Sequence, residues 1–267
     1  INDIKKTPFS FNYQLMIEIL FLSLIQGITE FLPISSSSHL IIFSELSNFQ
    51  EKDLSIDVSL HIGSFIAVVT FFHKDLKNFI KNKQLFFKII VSSVPVMLAG
   101  YLLVKSSLIE ELRNLKLIGW NTLLFGILLL ISDKCKLINK LNENLNYKSA
   151  IIIGVFQVLS LIPGVSRSGI TITTARFLKF NRYDAAKISF LLSIPTLGAV
   201  SIYGIQNLIF EENIILSQFN ILSIFLSFIF SLITIKFFLS YIQKFSLNVF
   251  IIYRLLIGLI ILVISYL

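Results

Sequence analysis

Residues 147–180 read YKSAIIIGVFQVLSLIPGVSRSGITITTARFLKF, and the direction in which this stretch runs decides the fold. Its first part is apolar enough to enter a membrane, Pro163 and Gly164 break it, and its second part is polar. Lys134, Lys136, Lys140 and Lys148 lie before or at its start, and Lys179, Arg182 and Lys187 close it. Short loops rich in Lys and Arg stay on the cytoplasmic side of a membrane. Both ends therefore lie on one side, and the stretch enters the bilayer and returns.

Working outward, apolar segments fall at about 14–33, 58–73, 84–104, 117–133, 185–206, 219–240 and 247–267. Lys74, Lys77, Lys81, Lys83 and Lys88, against Asp75, place the loop after 58–73 in the cytoplasm. Glu45, Glu51, Asp53 and Asp57, against Lys52, place the loop before it outside, and Glu211 and Glu212 do the same for 207–218. By this count 14–45 also enters and returns, this time from outside, and both termini are external. Each half then has one hairpin and three spans, and an odd number of spans gives the halves opposite orientations. The expectation is an all-α integral membrane protein: an inverted-topology repeat, six full spans plus two re-entrant helical hairpins, about ten helices in all. It forms a single membrane domain, 1–267, with halves at approximately 1–133 and 134–267. A weak internal repeat agrees, since an offset of 131 residues lays Gln26 on Gln157, and Ser35-Ser36-Ser37-Ser38 on Ser166-Arg167-Ser168-Gly169.

Composition excludes the other classes. Of 267 residues 55% are hydrophobic and 14% charged, where a soluble domain has about 45–50% and about 25%; mean hydropathy is +0.84. Disorder and disulfide scaffolds fall away, the latter because Cys135 is a single cysteine. The net charge of +8 does not indicate nucleic-acid binding, because the basic residues sit between apolar segments rather than on one face. Residues 4–32 have the outline of a signal peptide, with Lys5 and Lys6 ahead of an apolar run. No small-x-small site follows, and Gln26 and Glu30 interrupt the run, so it is read as mature structure.

The first hairpin carries Gln26-Gly27-Ile28-Thr29-Glu30-Phe31-Leu32-Pro33-Ile34-Ser35-Ser36-Ser37-Ser38-His39. Gln26 and Glu30 lie one helical turn apart on one face. A carboxylate within an apolar segment is expensive and faces a partner, an ion or a cavity. The second hairpin carries Pro163-Gly164-Val165-Ser166-Arg167-Ser168-Gly169-Ile170-Thr171. Backbone N–H groups at a helix start, a flexible glycine and a guanidinium suit an oxyanion such as phosphate. Arg167 could equally pair with Glu30 to join the hairpins, and a phosphate or metal between them reconciles both. His61 is read as a polar contact between helices, His73 as interfacial, Arg176 and Arg254 as snorkelling or headgroup contacts, and Trp120 as an interfacial anchor.

At these two motifs the chain resembles the undecaprenyl-diphosphate phosphatases of the bacitracin-resistance family. The resemblance rests on Gln26-x3-Glu30 followed by Ser35, Ser36 and His39, and on Pro163-Gly164-Val165-Ser166-Arg167-Ser168 with Thr171. Length, hydropathy and motif order match over essentially the whole chain. Two positions depart from the pattern: Gln26 stands where the family often has Glu, and Ser38 where many members have Gly. The resemblance implies a membrane phosphatase that converts undecaprenyl diphosphate to undecaprenyl phosphate and inorganic phosphate, recycles the carrier for peptidoglycan synthesis and confers bacitracin resistance. It implies Glu30, Ser36, His39 and Arg167 as catalytic residues, and Gln26, Ser35, Gly164, Ser166, Ser168 and Thr171 as substrate contacts. It also implies a divalent cation, Mg²⁺ or Ca²⁺, with Glu30 as ligand. The expected partners are a polyprenyl diphosphate and membrane lipids, with no nucleic acid and a homodimer as one admissible assembly. The expected place is the bacterial inner membrane, with the site opening to the outer face.

Chemically, a diphosphate must have its charge neutralised before a nucleophile can approach phosphorus. Arg167 and a cation near Glu30 can do this. The nucleophile is left open among Ser36 activated by His39 or Glu30, His39 itself, and water. A transporter or lipid flippase built on the same repeat is the competing class, and a nonenzymatic scaffold the weaker third.

Overall fold

The computed structural model describes residues 8–46, 54–81, 83–106, 112, 114–135, 139–210 and 218–267. The chain folds as α1 (Pro8–Thr29), α2 (Ser36–Leu46), α3 (Leu54–Phe71), α4 (His73–Lys81), α5 (Lys83–Lys105) and α6 (Leu115–Asp133). There follow a short α7 (Leu141–Asn144), α8 (Tyr147–Gln157) with a 3₁₀ turn at Val158–Leu161, α9 (Arg167–Phe177), α10 (Arg182–Phe210), α11 (Gln218–Lys244) and α12 (Asn248–Tyr266). It is an all-α integral membrane protein. Five helices are long and apolar enough to cross, and Ser55–Phe71 with His73–Phe79, bent by 69°, makes a sixth when taken as one span. The hairpin arms Met16–Thr29 and Tyr147–Leu161 are shorter apolar helices. At 1.5 Å per residue Tyr147–Leu161 reaches roughly 23 Å, short of a hydrocarbon core about 30 Å thick, and so stops part-way as a re-entrant arm does. Lys5, Lys6, Glu51, Lys52, Asp53, Lys136, Glu211 and Glu212, which entered the signal-peptide and topology readings, lie outside the described residues.

The halves pack as related units. The arm α1 lies against α11 and the equivalent α8 against α5, while α3 pairs with α10 and α6 with α12. Where they meet, Phe190 stacks edge-on against Phe31 at 5.4 Å and tilts against Phe238 at 5.8 Å, fixing the depth of the first hairpin.

Both hairpins turn by the same device. Ser35 Oγ accepts from the N–H of Ser38 at 3.4 Å, and Ser166 Oγ from the N–H of Gly169 at 3.1 Å, so each returning helix is capped by serine at the same repeat position. Gly164 has φ +94°, and a Cβ there would lie 2.6 Å from the carbonyl oxygen of Ile118, so only glycine fits. Ser166 adopts φ +71° without that freedom, a strain held by the hydrogen bonds around it.

Two cations read from sequence as lipid-facing are instead interior. Arg176 and Arg254 are each 1% exposed. Broken helices leave carbonyls without intrahelical donors, and these arginines supply them. Arg176 donates to the carbonyls of Phe180, Asp133 and Cys135. Arg254 donates to those of Pro33, Gly164, Val165 and Thr122. At the end of the bundle read as cytoplasmic, Asp133 takes both prongs of Arg182, at 2.7 and 2.9 Å, and Asp75 pairs with Lys187 at 2.7 Å.

Candidate active site

The two turns are bonded to each other across the bundle. Gly164 N–H donates to Ser35 Oγ at 3.3 Å, and Ser166 Oγ donates to the carbonyl of Ile34 at 2.9 Å. Ser168 Oγ donates to the carbonyl of Leu32. Ser35, Gly164, Ser166 and Ser168 are thus occupied in joining the hairpins. Thr171 Oγ1 lies 2.7 Å from Ser189 Oγ, which ties α9 to α10.

On this frame the polar side chains converge on Glu30. Arg167 Nη2 donates to Glu30 Oε1 at 3.0 Å, while its Nη1 donates to the carbonyl of Ser189 at 3.2 Å. The other oxygen, Oε2, accepts from Ser36 Oγ and from Gln26 Nε2, each at 3.1 Å. Arg167 Nε and Gln26 Oε1 have no partner among the described residues. A carboxylate so placed holds a hydroxyl and a guanidinium together, and each can turn to a third party.

Glu30, Ser36 and Arg167 line a cavity of about 520 Å³. Val96, Leu103, Leu161, Leu197 and Val200 supply much of the remaining wall, so a charged end meets an apolar corridor. His61 of α3 also lines it, with Nδ1 3.4 Å from Gln26 Nε2, so this residue belongs to the site and is more than a contact between helices. Sequence offered little to single out one histidine in an apolar segment. His39 is turned elsewhere: Nδ1 lies 2.5 Å from the carbonyl of Ser35 and Nε2 2.5 Å from Tyr253 Oη.

For a divalent cation, no group of three His, Cys, Asp or Glu converges among the described residues. Glu30 lines the cavity, and the unpaired Gln26 Oε1 belongs to the amide bonded to that carboxylate. A hard cation that takes one or two protein oxygens and completes its shell with phosphate oxygens and water fits such a set.

A sequence model of the family described as bacitracin resistance protein BacA matches residues 19–260. The chain belongs to that family. It is similar to the undecaprenyl-diphosphatase of Pelagibacter ubique, 50% identical over 252 residues, which covers 94% of this chain and 98% of that protein. The undecaprenyl-diphosphatase of Saccharophagus degradans is 42% identical over 256 residues, covering 91% and 96%. That of Aliivibrio salmonicida is 39% identical over 254 residues, covering 90% and 95%. The family match spans both hairpins, so the Glu30 and Arg167 motifs fall within it.

Proposed function

We propose that this chain is an undecaprenyl-diphosphate phosphatase, and that one carboxylate, Glu30, organises the reaction. The observation that carries the reading is the convergence of Ser36 Oγ and the Arg167 guanidinium on Glu30 beside a cavity with apolar walls. An apolar corridor suits a prenyl chain, and the charged end suits its diphosphate. Relatives named for this activity support the reading over a transporter.

Arg167 binds the phosphate oxygens, its planar fork spreading positive charge over the developing anion. Ser36 Oγ attacks the terminal phosphorus while Glu30 accepts its proton. The Oγ–P bond forms, the bond from phosphorus to the bridging oxygen breaks, and undecaprenyl phosphate departs. Water then attacks the phosphoserine, inorganic phosphate leaves, and the proton returns to Ser36 Oγ. Glu30 and Gln26 Oε1 would hold a divalent cation, which supplies further charge neutralisation when bound. His39, held by Ser35 and Tyr253, fixes the α2 turn in this scheme rather than attacking phosphorus.

The substrate places the enzyme in the bacterial inner membrane, where the product re-enters peptidoglycan synthesis and its turnover confers bacitracin resistance. Asp57 and Asn207 line the cavity beside loops read as external, and neither Asp133 nor Arg182, paired at the end read as cytoplasmic, lines it, which favours opening to the outer face. The test is phosphate release from a prenyl diphosphate by purified protein in detergent, wild type against Arg167→Ala. Wild-type turnover in folded Arg167→Ala would overturn the assignment.

A further inference from the structure

The repeat that lays Gln157 on Gln26 also lays Leu161 on Glu30 and Arg167 on Ser36. In the first hairpin the amide of Gln26 is engaged by the carboxylate one turn on. In the second hairpin that carboxylate is replaced by leucine. Gln157 is fully buried, and neither its Nε2 nor its Oε1 has a partner among the described residues. It lines the same cavity as Glu30, Ser36 and Arg167. Buried amides without partners are rare because each loses its water for nothing in return. One kept in the wall of the cavity that also holds Glu30, Ser36 and Arg167 is held ready for a ligand.

We infer that Gln157 is a substrate-binding residue, whose Nε2 donates to a non-bridging oxygen of the diphosphate. The inference rests on the phosphatase reading above. A neutral donor suits this place. It grips the anion beside Arg167 without a second fixed charge to hold back the departing phosphate. The pseudo-symmetric amides then divide the labour: Gln26 orients Glu30, and Gln157 orients the substrate.

The experiment compares purified wild type, Gln157→Leu and Gln157→Glu for KM, kcat and melting temperature with a prenyl diphosphate, and for inhibition by inorganic pyrophosphate. Leucine keeps the bulk and removes the amide. A hydrogen bond to a charged group is of a size to raise KM about tenfold to a hundredfold when lost, with kcat reduced less and the pyrophosphate inhibition constant raised in parallel. Melting temperature is expected to hold or rise, since no internal hydrogen bond is lost. A merely structural glutamine would give the reverse, a lower melting temperature with unchanged KM, and that result overturns the inference. Gln157→Glu turns a carboxylate toward the phosphates and should raise KM further than leucine; unchanged KM there also overturns it. Should Gln157→Leu fail to fold, the glutamate variant decides alone. Should wild type release no phosphate, the phosphatase reading fails, and pyrophosphate binding decides: weaker binding by the variants supports Gln157 as an anion contact, and equal binding refutes it.

Discussion

Arg254→Leu removes a side chain that ties both re-entrant turns to the wall of the bundle. Five N–H···O bonds are lost, to the carbonyls of Pro33, Gly164, Val165 and Thr122. Side-chain hydrogen bonds between membrane helices average about 0.6 kcal/mol, so five of them amount to about 3 kcal/mol. Leaving three buried turn carbonyls unpaired at about 1 kcal/mol each gives the same order. The two figures describe one loss and are not summed, because removing a buried guanidinium also relieves its desolvation. For a chain of this length about 3 kcal/mol lowers the melting temperature by roughly 6–12 °C. Activity should suffer more than stability, because Glu30 and Ser36 sit around one turn and Arg167 after the other, and a misplacement of about 1 Å can cost about 10²-fold. Thermal unfolding in detergent, with phosphate release well below the transition, measures both. Wild-type melting and turnover in Arg254→Leu would show that the turns do not depend on this arginine.

Other substitutions test the site's parts. Arg167→Lys keeps the charge but loses the fork, and phosphate release should fall about 10²–10³-fold; a loss of only a few-fold would reject the two-pronged contact. Glu30→Gln removes the acceptor shared by Ser36 and Arg167 and should fall about 10²–10⁴-fold, as for a lost general base, whereas Gln26→Glu should retain turnover. Activity in the first or inactivity in the second, with folding verified, would displace Glu30 from the centre of the scheme. Ser36→Ala should abolish phosphate release and any phosphoserine trapped by rapid acid quench; a mild effect would transfer the attack to water or His39. Asp133→Asn breaks a buried cluster far from the cavity and should lower melting temperature, at about 3–5 kcal/mol for a broken buried pair, with KM unchanged.

The spans, the two turns and the Glu30–Arg167 pairing were legible because each follows from a rule about burial: apolar runs of sufficient length, proline and glycine breaks, and intramembrane charges that must meet. Arg254 and Arg176 were not, because sequence gives the depth of a side chain in the bilayer but not the bearing of its helix face. The freed carbonyls of the turns, which those arginines satisfy, become visible only when the hairpins are in place. His39 follows Ser36 by three residues, which suggested a pair, yet its ring reaches back to Ser35 and across to Tyr253. Gln157 did leave a signal, its place in the repeat, but its isolation followed from Leu161 standing where the first hairpin has Glu30.

The Glu30–Arg167 bond spans 137 residues of chain. At a synthesis rate of about 5–20 residues per second, roughly 7–27 s separate the emergence of the two partners. During that interval the first hairpin holds a carboxylate whose cation has not yet been made. Hydrocarbon is too costly for it alone, so the hairpin waits near the water boundary. It sinks to its final depth only when the second hairpin arrives. Insertion of the first half is therefore provisional until the second is translated, and a ribosomal pause between the motifs lengthens the exposure of this segment to membrane proteases.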